Sequence, residues 1–124
     1  MHSFIAEPGL SFPSIYLSFL KEEKTVGNYL LVPHSEHMWE IHLSPIDPKD
    51  LLFTIKIGKE AMEFVFDNIV KVEKLIAIIP INNKYACLLA EKSGMLYEGI
   101  IKKGAYVEDE MIDLKIYGIC RDEI

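Results

Sequence analysis

The chain has 124 residues, half of them hydrophobic and 26% charged, with a formal net charge of −6 at pH 7. That length provides for one hydrophobic core rather than two, and the apolar fraction excludes an intrinsically disordered chain. The acid excess argues against broad binding to nucleic acid or anionic membranes, which are held through Lys and Arg, and favours a cationic or amine-bearing partner.

Taken in chain order, residues 1–13 read as an irregular arm. Residues 14–23 carry Ile15, Leu17, Phe19 and Leu20 before the charged run Lys21-Glu22-Glu23-Lys24, which predicts a short helix. Tyr29-Leu30-Leu31-Val32 stops at Pro33, and Met38-Trp39-Glu40-Ile41-His42-Leu43 stops at Ser44-Pro45, which predicts a two-stranded hairpin. Residues 50–70 predict a helix, because Ile57, Ala61, Phe64 and Val65 recur at helical spacing beside Met62, Phe66 and Ile69. Lys74-Leu75-Ile76-Ala77-Ile78-Ile79-Pro80 has the unbroken aliphatic character of a central parallel strand, completing a βαβ unit. Asn82-Asn83 precedes a second helix over 84–93, and Gly94 suits its left-handed close. Residues 96–102 and 111–119 predict two antiparallel strands around a polar link, 104–110.

No repeat or linker interrupts this pattern, so one α/β domain over 1–124 is expected, with an arm and short helix over 1–27 and a core over 28–120. Cys87 and Cys120 lack CxxC spacing and read as free thiols. No apolar run approaches the roughly 20 residues that span a bilayer. The start of the chain has no basic region followed by an apolar one, so a cytoplasmic protein without a membrane partner is expected.

The stretch from Leu75 to Gly99 resembles the second half of the acetyl-CoA-binding core of the GNAT superfamily of N-acetyltransferases. A hydrophobic strand leads to Asn83, a small residue follows at Ala86, and the helix ends in Glu91-Lys92-Ser93-Gly94-Met95. The downstream run Glu98-Gly99-Ile100-Ile101 and Ile112-Asp113-Leu114-Lys115-Ile116-Tyr117-Gly118 is similar to the branch that modifies ribosomal-protein N-termini. The Trp39-Glu40-Ile41-His42 strand is also similar to short phage-encoded acetyltransferase-like proteins, some described as head-assembly proteins. The resemblance covers roughly residues 38–120. It implies a mixed central sheet with a splayed parallel strand pair, helices on both faces and a C-terminal antiparallel hairpin.

It also implies acetyl-CoA as co-substrate, its pantetheine arm lying in the splayed gap beside Ile78, Ile79, Asn83 and Ala86. The family's phosphate loop usually reads Gln or Arg, two variable residues, Gly, one variable residue, then Gly or Ala. Across residues 47–59 only Gly58 fits the last small position, with Lys56 and Lys59 offering charge and Asp47 and Asp50 opposing it. Where many members carry a Tyr that protonates the departing thiolate, this chain has Ala90.

Glu40 and His42, two apart on a strand and so on one face, are the candidate general bases for deprotonating an amine; their alternative is a surface-facing pair on a half-exposed strand. Asn83 reads equally as a helix cap. His34 and His37 read as members of a solvated turn rather than a metal site, and no metal is expected. Two functions follow. One is N-acetyl transfer to a primary amine, on a small molecule or a protein N-terminus. The other is a non-catalytic protein of the same fold, an assembly or interaction module with a phage structural partner or a second copy of itself, favoured by the altered loop and Ala90.

Overall fold

Alternating side chains build most of this molecule, and the computed structural model describes residues 2–8, 14–21, 24–45 and 50–124. Its elements are β1 (His2–Pro8), β2 (Ile15–Lys21), β3 (Lys24–Pro33), β4 (Met38–Pro45), α1 (Leu51–Asn68), β5 (Lys74–Pro80), α2 (Lys84–Lys92), β6 (Leu96–Val107) and β7 (Glu110–Cys120). A short 3-10 turn over Arg121–Glu123 follows. The strands form one sheet in the order β1-β2-β3-β4-β5-β7-β6. All neighbours are antiparallel except β4 and β5, which α1 connects in parallel.

Register decides which residues meet the core. Leu17 lies opposite Tyr29, Leu31 opposite Ile41, Trp39 opposite Leu75, and Ala77 opposite Tyr117, so these odd-numbered positions share one face. Ile57, Ala61, Met62, Val65 and Phe66 of α1 and Cys87 and Ala90 of α2 join them in a single buried cluster. Both helices therefore cover the same face. The opposite face carries Leu30, Val32, Ile78 and Ile116 half-buried and Ile5, Tyr16, Leu96 and Ile101 exposed, with no α-helix over it among the described residues.

Helix α1 begins where the Asp50 carboxylate accepts from the Phe53 amide, and α2 where the Asn83 side chain accepts from the Ala86 amide. Gly94 closes α2 at φ +103°, a conformation that a Cβ disfavours. At the other end of α1 the Arg121 guanidinium donates to the carbonyls of Phe66, Ile69, Val70 and Val72 at 2.6–3.1 Å. One cation thus serves carbonyls that the helix leaves without amides.

Four expectations are corrected. Residues 14–23 do not form a helix: β2 occupies Ile15–Lys21, because Leu17 and Phe19 are buried while Tyr16 and Ser18, alternating with them, are not, a period of two that the apolar content concealed. With that helix gone, helices on both faces are replaced by helices on one. The arm over 1–13 contains strand β1 up to Pro8, and residues 9–13 lie outside the described chain. The link over 104–110 is also shorter than expected, since β6 and β7 pair down to Val107 opposite Glu110 around a turn in which Glu108 and Asp109 take positive φ.

Candidate active site

Strands β4 and β5 pair at only three positions, Met38 with Lys74, Trp39 with Leu75 and Glu40 with Ile76. Beyond these, β4 runs on to Pro45 and β5 to Pro80, so the two part company while heading the same way. Their outer edges are taken by β3 and β7, but the edges facing each other past Glu40 and Ile76 have no strand partner. Backbone amides and carbonyls there need another hydrogen-bonding group, and an extended amide-bearing chain supplies one.

The gap opens into a cavity of about 300 Å³. Ile41 and His42 line it from β4, residues 77–80 from β5, Gly58 and Met62 from α1, and Asn83, Ala86, Leu89 and Ala90 from α2. The small side chains Ala77, Ala86 and Ala90 leave this room. Gly58 brings α1 against the end of α2, where a Cβ would stand 3.0 Å from the Ser93 hydroxyl. The wall from β3 is Tyr29, whose hydroxyl is buried and has no hydrogen-bond partner.

On the open face at the mouth of the gap, Glu40 is 9% exposed. Its Oε1 lies 2.7 Å from His34 Nε2, and its Oε2 meets His42 Nε2. Burial works against the Glu40 anion, but hydrogen bonds from His42 and His34 outweigh it and hold the carboxyl below its ordinary value. The hydrogen bond to Glu40 lifts the His42 imidazole above its ordinary value, with burial opposing. His42 is itself exposed, so a reactant has access to a ring whose partner is not.

The sequence-derived positions divide accordingly. His42, Ile78, Ile79, Asn83, Ala86 and Gly58 all line the cavity, and Glu40 reaches it through His42. Lys59 is exposed and absent from the lining. Gly58 and Lys59 stand two turns inside α1 rather than in a loop at its start, because the helix already begins at Leu51. Residues 46–49, including Asp47, lie outside the described chain. The Phe53 amide in the first turn of α1 donates to the Asp50 carboxylate, so phosphate there would face a negative group. His34 is an exposed turn residue, as read from the sequence, and in addition it bonds Glu40, which that reading did not include. Hairpin arithmetic carried the signal, since β3 and β4 pair up to Pro33 opposite Trp39 and residue 34 then falls beside 38–40. No group of His, Cys, Asp and Glu arranged for a metal occurs among the described residues.

No protein-family profile matches the sequence, and no curated protein matches it either. Solved structures do. Mutant forms of the spermidine/spermine N-acetyltransferase SpeG from Vibrio cholerae superpose with a TM-score of 0.76 at 15% identity, over 88% of this chain and 68% of theirs. A GNAT-family acetyltransferase from Bacillus anthracis gives 0.72 at 24% identity, over 89% and 67%. A chain described as a probable acetyltransferase gives 0.76 at 18%, over 91% and 64%. The chain thus spans about two thirds of the length of these structures. Its structural neighbours are GNAT acetyltransferases, and its mixed sheet with two helices has the GNAT fold.

Proposed function

We propose that the protein is an acetyl-CoA-dependent N-acetyltransferase that transfers its acetyl group to a primary amine by direct attack. The observation that carries this reading is the parallel pair β4–β5, joined over three positions and then open onto a lined cavity. The free edges beyond Glu40 and Ile76 match the amides of a pantetheine arm, and the lining admits it because residues 77, 86 and 90 are all alanine. Acetyl-CoA when bound supplies an activated thioester.

The chain's own residues supply the rest. Amides near Ile78 and Ile79 hold the arm and polarise the thioester carbonyl, where charge develops on oxygen. Asn83 adds a polar side chain at the lip of the cavity, beyond its role as a cap. His42 receives the proton that the acceptor ammonium must lose before its nitrogen attacks; the carbon–nitrogen bond then forms as the carbon–sulfur bond breaks. Glu40 compensates the resulting imidazolium. Ala90 offers the departing thiolate no proton. Donor and acceptor use opposite faces, the donor from the helix side and the amine from the open face. Among the neighbours, SpeG acts on spermidine, which favours an amine acceptor here.

The second reading, a non-catalytic module of the same fold, is favoured by the Asp50 carboxylate at the start of α1. Calorimetry separates the two: micromolar heats with acetyl-CoA and CoA are expected for the enzyme, and none at millimolar ligand for the module. In a transfer assay, His42→Ala should lower kcat about 100-fold, and Glu40→Gln by a similar order, with little change in acetyl-CoA affinity. Unchanged rates in both variants would remove them as the basic groups.

A further inference from the structure

The Glu40 carboxylate has two oxygens, and each is taken by a different imidazole. His42 comes from the same strand, while His34 reaches in from the β3–β4 turn. That turn is firmly built. The amides of His34 and Ser35 donate to the Met38 carbonyl, and the Ser35 hydroxyl oxygen accepts from the amides of His37 and Met38. It is also tied to the link between α1 and β5, with the His37 ring on the Lys71 carbonyl and Lys71 Nζ on Glu36. His34 is therefore presented to Glu40 by a closed turn.

Resting on the acetyltransferase reading above, we infer that His34 is a positioning residue: by holding one oxygen of Glu40 it keeps the other on His42, and so keeps His42 ready to take the proton of the acceptor amine. Among the described residues no other side chain bonds the Glu40 carboxylate. Across the sheet Glu40 is flanked by Val32 of β3 and Ile76 of β5, both apolar. The nearest cation along the same face of β5, Lys74, is engaged by Glu98 of β6. A buried carboxylate with one donor removed loses part of what holds it ionised and in place, so it turns to water or takes a proton more readily. Either event releases His42. In the ground state both imidazoles donate Nε2–H to Glu40, which leaves Nδ1 of His42 as the atom that accepts the incoming proton. No proton passes through His34.

The test compares His34→Ala with His34→Gln, whose amide keeps a donor at the place of Nε2. Histidine NMR titration of the free protein needs no substrate. In His34→Ala the titration of His42 should fall toward that of an ordinary imidazole, and in His34→Gln it should stay near the wild-type value. In the transfer assay His34→Ala should lose about tenfold in kcat with the KM for acetyl-CoA unchanged, and His34→Gln should recover most of it. A His42 titration that is unmoved or raised in His34→Ala overturns the inference, as does a His34→Gln variant no better than alanine. If coupling appears but the wild type transfers no acetyl group, the acetyltransferase reading fails while the link between the three side chains stands; if transfer occurs without coupling, only this inference fails.

Discussion

Glu40 and His42 titrate against each other, and the signs can be worked through. Glu40 is lowered below 4.5 in the folded chain, so its contribution to stability is present above 4.5 and lost as pH falls through the folded value. His42 is raised above 6.5, so its contribution is complete below 6.5 and lost as pH rises through its folded value. The advantage of the wild type over Glu40→Gln in urea unfolding should therefore be greatest between 4.5 and 6.5 and shrink on both sides. Turnover runs the other way on the alkaline limb, since only the neutral ring accepts a proton: activity should climb as pH passes above 6.5. A stability difference that neither shrinks below 4.5 nor above 6.5 would remove the ion pair. Alternation on a strand was enough to place Glu40 and His42 together from residue order alone. It could not show that Glu40 is buried or that His34 closes over it, because both depend on where the turn and β5 lie.

Among the elements, α1 shows how a helix end can depend on a distant residue. Its last turn holds no basic side chain, and Arg121, beyond β7, supplies the donors while its guanidinium lies 5.2 Å from the Phe66 ring centroid. Hydrogen bonds from a charged group are worth about 1.5–3 kcal/mol each and are not additive, so Arg121→Ala should cost roughly 2–4 kcal/mol in urea unfolding. Lysine should recover less than half, because a single ammonium cannot reach four carbonyls laid out for a planar fork. A loss below about 1 kcal/mol would mean that water replaces the guanidinium freely. Helices α1 and α2 and strand β5 were legible from periodicity and capping residues, since those signals are local. Strand β2 was not: Ile15, Leu17, Phe19 and Leu20 fit either period, and only pairing with β1 and β3 decides between them.

At the scale of the whole molecule, the cavity draws its walls from β3, β4, β5, α1 and α2, so a ligand within it braces the sheet against both helices. Acetyl-CoA at a hundredfold excess over its Kd should raise the unfolding free energy by about 2.7 kcal/mol, seen as a rise in melting temperature that grows with ligand concentration. No rise at millimolar acetyl-CoA would leave the cavity without its proposed occupant. What residue order determined here is what neighbours along the chain can enforce: the helices at 51–68 and 84–92, the aliphatic strand β5, the Asn83 cap, the Gly94 close, and the shared face of Glu40 and His42. What only the tertiary structure decided is the three-position pairing of β4 with β5, the placing of both helices on one face, and the burial of Glu40. These depend on contacts between segments far apart in sequence, whose register is set by the packing of the whole core and leaves no local trace in the order of residues.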